Sequence, residues 1–192
     1  MESRDFIRQQ RRNAGLIATY INDIAPSMVV RKTLRFIDGN FRAQGWQGST
    51  FQPWKNKKSN EGKKRPGRIL IITGRLRRGV NYTTNGRGEV RFYNNVKYAQ
   101  IHNQGGTIDT TAHVRAFSRR RFYVDEASAP GARKPKMVKT HVGDSQVKAH
   151  TRKMKIVIPQ RQFMPYEDHN SPVLDASITR ELTREINKIL NR

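Results

Sequence analysis

The chain has 192 residues, 38 Lys+Arg against 15 Asp+Glu, a formal charge of +23 and no cysteine. That length suits one domain with at most an excursion, and the missing cysteine excludes disulfides, thiol nucleophiles and cysteine-based zinc sites. No apolar run approaches the ~20 residues of a membrane span, and so large a positive excess calls for polyanionic or acidic partners.

Met1–Asp5 offers no secretory hydrophobic segment, so the expectation is a protein made in the cytoplasm and used or packed into a particle there. Leu16, Ile17, Tyr20, Ile21 and Ile24 recur at helical spacing and predict an amphipathic helix over 4–24. Pro26 is expected to interrupt it and Ser27 to cap a second helix, whose core face is Val30, Leu34, Ile37 and Phe41. Both stripes read as faces packed on a core. Residues 1–25 form an N-terminal arm in this reading, and the main domain spans 26–192. Gly45 and Gly48 are expected to end the second helix in a loop.

Lys55–Arg68 follows, with seven basic residues, one acid and no aliphatic side chain, so it cannot bury itself. Ile69–Ile72 reads as a short buried strand. Val80–Thr84 and Glu89–Tyr93 alternate around Asn85-Gly86, which predicts a hairpin. Val96–Asn103 reads as a short helix broken by Gly105-Gly106. A weak repeat follows: Val114–Val124 aligns without gaps to Val147–Val157. With Ala127–Asp144 as linker, this predicts a long hairpin arm, a basic excursion over about 107–157. Pro159–Pro165 is an extended connector. Ser171-Pro172 has the form of an N-cap and first helical residue. Leu174, Ile178, Leu182, Ile186 and Leu190 then give a C-terminal helix over 172–190. The whole reads as an α+β fold: N-terminal helices, mostly antiparallel strands with an extended basic arm, and a C-terminal helix.

No catalytic, cofactor or metal site emerges. His102, His113, His141, His150 and His169 are scattered, and no pair has the spacing that places two imidazoles on one helical face. His113 and His150 could meet across the arm, but without carboxylates they make a poor metal site. A nuclease would need clustered acids for Mg²⁺, and Asp109, Asp125, Glu126 and Asp144 are widely spaced. Anion binding is better supported. Lys55, Lys57, Lys58, Lys63, Lys64, Arg65 and Arg68 could meet phosphates or carboxylates. Arg119, Arg120 and Arg121 form a second cluster beside Phe117, Phe122 and Tyr123. Those aromatics could stack on bases, though in an alternating strand they are expected to be core.

Five pieces in series carry a resemblance: "NFRAQGW" (Asn40–Trp46), "PWK" (Pro53–Lys55), "ILIITGRLRRGV" (Ile69–Val80), "YAQIHNQGG" (Tyr98–Gly106) and "IPQRQFM" (Ile158–Met164). With these the chain resembles the phage virion morphogenesis family, the tail-completion or tail-terminator proteins of tailed phages. It departs from compact members between Gly106 and Ile158, where it is longer and more basic. The resemblance implies a hexameric ring at the head-proximal end of the tail. That ring would cap the tail tube and join it to the neck, and DNA would pass through its lumen. Partners would be other copies, the tail tube protein and a neck protein; no enzymatic activity comes with it. Thr73, Gly74, Leu76, Tyr98, Ala99, His102, Gly105, Gly106, Pro159, Arg161 and Phe163 would then serve structure, with Phe163 buried and Arg161 holding a carboxylate or carbonyl. A sequence-independent nucleic-acid-binding protein acting outside the particle is the alternative.

Overall fold

The computed structural model describes residues 3–57, 67–127 and 136–191. They form two compact units, one of 1–106 with 158–192 and one of 107–157. In the first, α1 (Ser3–Thr19) runs through a π-helical turn (Tyr20–Ile24) into α2 (Ala25–Ala43) without a break. The expected interruption at Pro26 therefore does not occur. Proline lacks the N–H of a helical bond, and its ring crowds the carbonyl four residues back. The π-turn widens the helix just before it, with the Ala25 N–H bonding to the Tyr20 carbonyl. Ser27 is not a cap; its hydroxyl donates back to the Ile24 carbonyl at 2.8 Å.

The two apolar stripes differ in their fate. In α2, Val30, Ile37 and Phe41 are buried. In the preceding stripe only Tyr20 is buried, while Leu16, Ile21 and Ile24 stay exposed, as do Phe6 and Ile7. The helix ends at Gln44, not at a glycine, with φ +58. Its side chain fixes that conformation: Nε2 donates to the carbonyls of Phe41 (2.7 Å) and Ile69 (3.2 Å), and Oε1 accepts from the Ile69 N–H. Gly45 opens β1 (Gly45–Gln47), which pairs antiparallel with β2 (Phe51–Pro53).

Ile69–Ile72 is not a strand. Leu70 takes φ +60, and the Gly74 N–H closes a turn on the Ile71 carbonyl at 3.1 Å. Ile69 enters the core, but Ile72 is 86% exposed. The short helix α3 (Arg75–Arg78) and the hairpin of β3 (Val80–Thr84) and β4 (Val90–Asn94) follow. In its turn Gly86 and Gly88 take positive φ, and Asn85 Oδ1 accepts the Arg87 N–H at 2.9 Å. The helix α4 (Ala99–Gln104) stops where Gly105 leaves helical space. The core gathers Ile37, Phe41, Trp54, Ile69, Leu76, Val96, Ala99 and Phe163. Phe41 packs edge-on against Trp54 and tilted against Phe163, with centroids 5.5 and 5.2 Å away. Finally α5 (Pro172–Leu190) starts at Ser171, whose Oγ accepts the Leu174 N–H at 3.2 Å. Leu174 is buried, and Leu190 at the far end of that stripe is exposed.

The second unit consists of strands β5 (Gly106–Val114) and β6 (Phe117–Ala127), then β7 (Lys136–Val147) and β8 (His150–Ile158). β6 pairs antiparallel with β7, and β5 pairs with β8. The two repeat segments therefore do not pair along their length: residues 118–124 pair with residues of 139–146, outside the second segment. Each spans a strand junction, and Phe117 lies opposite Val147. Much of the expected Ala127–Asp144 linker is strand, since β7 begins at Lys136. Among the described residues the strands make four two-stranded ladders, and no helix is long and apolar enough to cross a membrane.

Candidate functional site

Three of the quoted sequence pieces converge on the connector between β8 and α5. That connector has no regular structure of its own, so its buried backbone groups must find partners elsewhere. Asn103 of α4 supplies most of them. Its Oδ1 accepts the N–H groups of Phe163 (2.8 Å) and Met164 (3.1 Å), and its Nδ2 donates to the Met164 carbonyl (3.0 Å). Asn40 of α2, fully buried, donates from Nδ2 to the Phe163 carbonyl at 3.1 Å and accepts the Gln47 N–H at 3.2 Å. The Trp54 indole donates to the Gln162 carbonyl at 2.8 Å. Arg161 donates its N–H to the His102 carbonyl (2.8 Å) and its Nε to the Lys55 carbonyl (3.0 Å). Phe163 is fully buried.

On one flank of α4 lies an open groove of about 350 Å³, lined among others by Lys57, Ile72, Thr73, Tyr98, His102 and Arg161. Tyr98 meets the His102 ring edge-on at 5.7 Å. Burial, and secondarily the Arg161 charge, push the His102 imidazole below its usual pKa, so it is neutral at pH 7. Its Nδ1 is buried without a hydrogen-bond partner. Burial lowers the Arg161 guanidinium as well, but an arginine stays charged in a protein.

The remaining motif positions are structural in kind. Leu76 and Ala99 are core residues. Gly74 caps α3 at φ +66, and the Thr73 carbonyl accepts from Arg78 Nη2 at 2.8 Å. Gly105 has φ +75, and a Cβ there would lie 2.8 Å from the Gln160 nitrogen. Gly106 begins β5, and Pro159 follows β8 directly. The basic run is divided. Lys57 Nζ donates to the Arg68 carbonyl at 3.0 Å, and Arg68 Nη2 to the Arg42 carbonyl at 3.3 Å. Lys58, Lys63, Lys64 and Arg65 lie outside the described residues.

Arg119, Arg120 and Arg121 are exposed on β6. So are Phe117, Phe122 and Tyr123, at 45%, 50% and 62%, which corrects the expectation that they form core. The ribbon has nothing packed on it within its own unit to bury them. Among the described residues no group of three or more His, Asp or Glu is placed to hold a metal ion.

Sequence reasoning assigned no role to Asn40, Gln44 or Asn103. The signal was present: Asn40 and Gln44 continue the 37–41 core phase of α2, where a polar residue must be hydrogen-bonded if buried. Asn103 stands inside one of the quoted pieces.

No curated protein and no solved structure matches the chain. A model of the phage virion morphogenesis family does, over residues 15–183, a span that runs from within α1 across both units into α5 and includes every clamp described above. On that match the chain belongs to the phage virion morphogenesis family, and its role is in building a phage particle.

Proposed function

We propose that the protein closes into a ring, hexameric in the form its family resemblance implies, at the head-proximal end of the tail. There it ends growth of the tail tube, docks to the neck and surrounds the DNA passing through. The observation that carries this reading is the family match over 15–183. Surface chemistry supports it. Phe6, Ile7, Leu16, Ile21 and Ile24 stay exposed on α1 and the π-turn, and a helix that leaves this many large apolar side chains open suits contact with another chain. The β6–β7 ribbon is likewise uncovered, and two strands alone are marginal in water. Each copy adds a charge of +23, so closure needs a counterweight. Apolar contacts between copies, acidic faces on neighbouring virion proteins and DNA in the lumen can supply it.

In this reading the basic residues of 55–68, Lys55, Lys57 and Arg68 among them, face an acidic virion protein. The arm augments a neighbour's sheet or reaches another virion component. The chain works by shape and carries out no chemistry. The test is a lysate lacking this chain: tails should lose length control and fail to join heads, and added protein should restore both. Light scattering should show rings once tail tube is present. A free monomer that binds DNA tightly, leaves tails unaffected and is missing from finished particles would establish the alternative, a nucleic-acid-binding protein acting outside the virion.

A further inference from the structure

The β6–β7 ribbon has two chemically unlike faces. Side chains alternate along a strand, and residues directly opposite in an antiparallel pair share a face. One face therefore carries Ser118 with Gln146, Arg120 with Asp144, and Phe122 with His141. It holds its own anion: Asp144 Oδ1 lies 2.8 Å from His141 Nε2, and the Phe122 ring meets His141 edge-on at 5.7 Å. The other face carries Phe117 with Val147, Arg119 with Ser145, Arg121 with Gly143, and Tyr123 with Thr140. No carboxylate stands among those eight residues. Neither Arg119 nor Arg121 has an ion pair among the described residues.

A register shift between Arg121 and Phe122 keeps the faces distinct. Val142 is the extra residue. In a regular ladder Val142 would pair with Phe122 and His141 would fall opposite Tyr123, on the arginine face; the bulge at Val142 puts His141 on the face of Asp144 instead. None of the three consecutive arginines has an ion pair among the described residues; two share a face with no acid opposite them, and Arg120 lies opposite Asp144 on the other face.

We infer that the Phe117–Arg119–Arg121–Tyr123 face binds the phosphodiester backbone of double-stranded DNA. Arg119 and Arg121 stand about 6.8 Å apart along the strand; successive phosphates of one DNA strand rise ~3.4 Å along the axis and also rotate around it, which separates them by a similar distance, so the two guanidiniums match neighbouring phosphates. Opposite them are only Ser145 and Gly143, so no bulky neighbour blocks approach. The unit as a whole carries twelve Lys and Arg against four Asp and Glu, a net +8. A protein partner is the less fitting occupant. Protein interfaces place apolar anchors at the centre and charge at the rim, whereas here charge is central and the aromatics lie at either end. The inference rests on the reading that the protein surrounds the genome, and its test can fail separately from that reading.

The experiment uses the full chain and a fluorescent 20-base-pair duplex, with affinity measured by anisotropy from 50 to 200 mM salt. The wild type should bind weakly, with Kd about 10⁻⁴–10⁻⁶ M, and log K should fall linearly with log salt. R119Q and R121Q should each flatten that slope by about 0.9, and the double variant by about 1.8. R120Q should change it by less than half as much as either. All three side chains are exposed, so circular dichroism should be unchanged. An R120Q effect equal to that of R119Q, or an unchanged slope in the double variant, overturns the assignment. So does polyglutamate displacing the duplex at equal charge, which would give the face to an acidic protein. Light scattering with tail tube added reads ring formation independently: rings that persist while the slope prediction fails sink this contact alone, and absent rings sink the ring reading.

Discussion

Replacing Asn103 with alanine removes three hydrogen bonds at once and leaves two N–H groups and one carbonyl of Phe163 and Met164 without partners. Asn103 is 4% exposed and Phe163 is fully buried, so bulk water does not reach them freely. An orphaned buried polar group costs about 1–3 kcal/mol. Taking the low end for each gives a loss of about 3 kcal/mol, because a single water could enter and recover part. For a protein of this size that is about 6–12 °C in Tm. The protein's two tryptophans, Trp46 and Trp54, are both in the first unit, and Trp54 bonds directly to the connector. Urea unfolding followed by tryptophan fluorescence therefore reports on the affected region. Gln100→Ala, an exposed change on the same helix, should stay within about 0.5 kcal/mol. A loss below about 1 kcal/mol for Asn103→Ala would show that Phe163 packing alone holds the connector and that the amide clamp is incidental.

Two glycines should respond with opposite signs. At Gly105 the backbone sits at φ +75 and ψ 177, a region essentially closed to other residues, and the new Cβ would meet the Gln160 backbone at 2.8 Å; Gly105→Ala should cost at least about 2 kcal/mol in urea unfolding. Gly15 is helical with nothing within 4 Å of a Cβ, so Gly15→Ala should stabilise by about 0.5–1 kcal/mol. His102 should make stability fall on acidification. Its folded pKa lies below the unfolded value of about 6.5, so the unfolded chain binds more protons in the window between the two. The contribution is complete above about pH 6.5 and is lost as pH falls through the lower, folded pKa. His102→Gln should flatten that slope in Tm measured from pH 8 to pH 5, and an unaltered slope would remove His102 as its source.

The elements read most directly from the sequence are those whose signals are local. Ser171-Pro172 cap α5, Asn85-Gly86 turn the β3–β4 hairpin, and Gly105 ends α4; each needs only a few adjacent residues to decide the backbone. Where local signals misled, another interaction had decided the matter. Ile69–Ile72 has the composition of a strand, but the Gln44 amide takes the Ile69 backbone groups that a strand partner would need. Pro26 looks like a stop, yet the π-turn before it lets the helix continue. The ribbon aromatics alternate like core residues, but the layer that would cover them is not supplied by their own unit. That last failure is informative, since alternation records that a strand has two faces and says nothing of what lies against them.

The connector explains why a strongly basic chain places amides at core positions. Between Arg161 and Met164, six backbone groups are satisfied by groups outside the segment: the Arg161 N–H by His102, the Gln162 carbonyl by Trp54, the Phe163 N–H and carbonyl by Asn103 and Asn40, and both Met164 groups by Asn103. Sheet pairing could do the same only by adding a strand there, and a charged side chain only by bringing its desolvation cost into the core. An amide offers donor and acceptor together without charge. In a protein at +23 that neutrality matters: the core is assembled without drawing on the scarce carboxylates, and without adding to the chain's self-repulsion. Among the described residues, apart from the buried Arg161, charge is left to the surface of the first unit and to the arm, which in sequence follows α4 and precedes the connector. Changes confined to the arm can then alter what the particle component binds while the clamp and its Phe163 anchor stay intact, so arm variants should shift binding and leave the tryptophan-reported unfolding midpoint where it was.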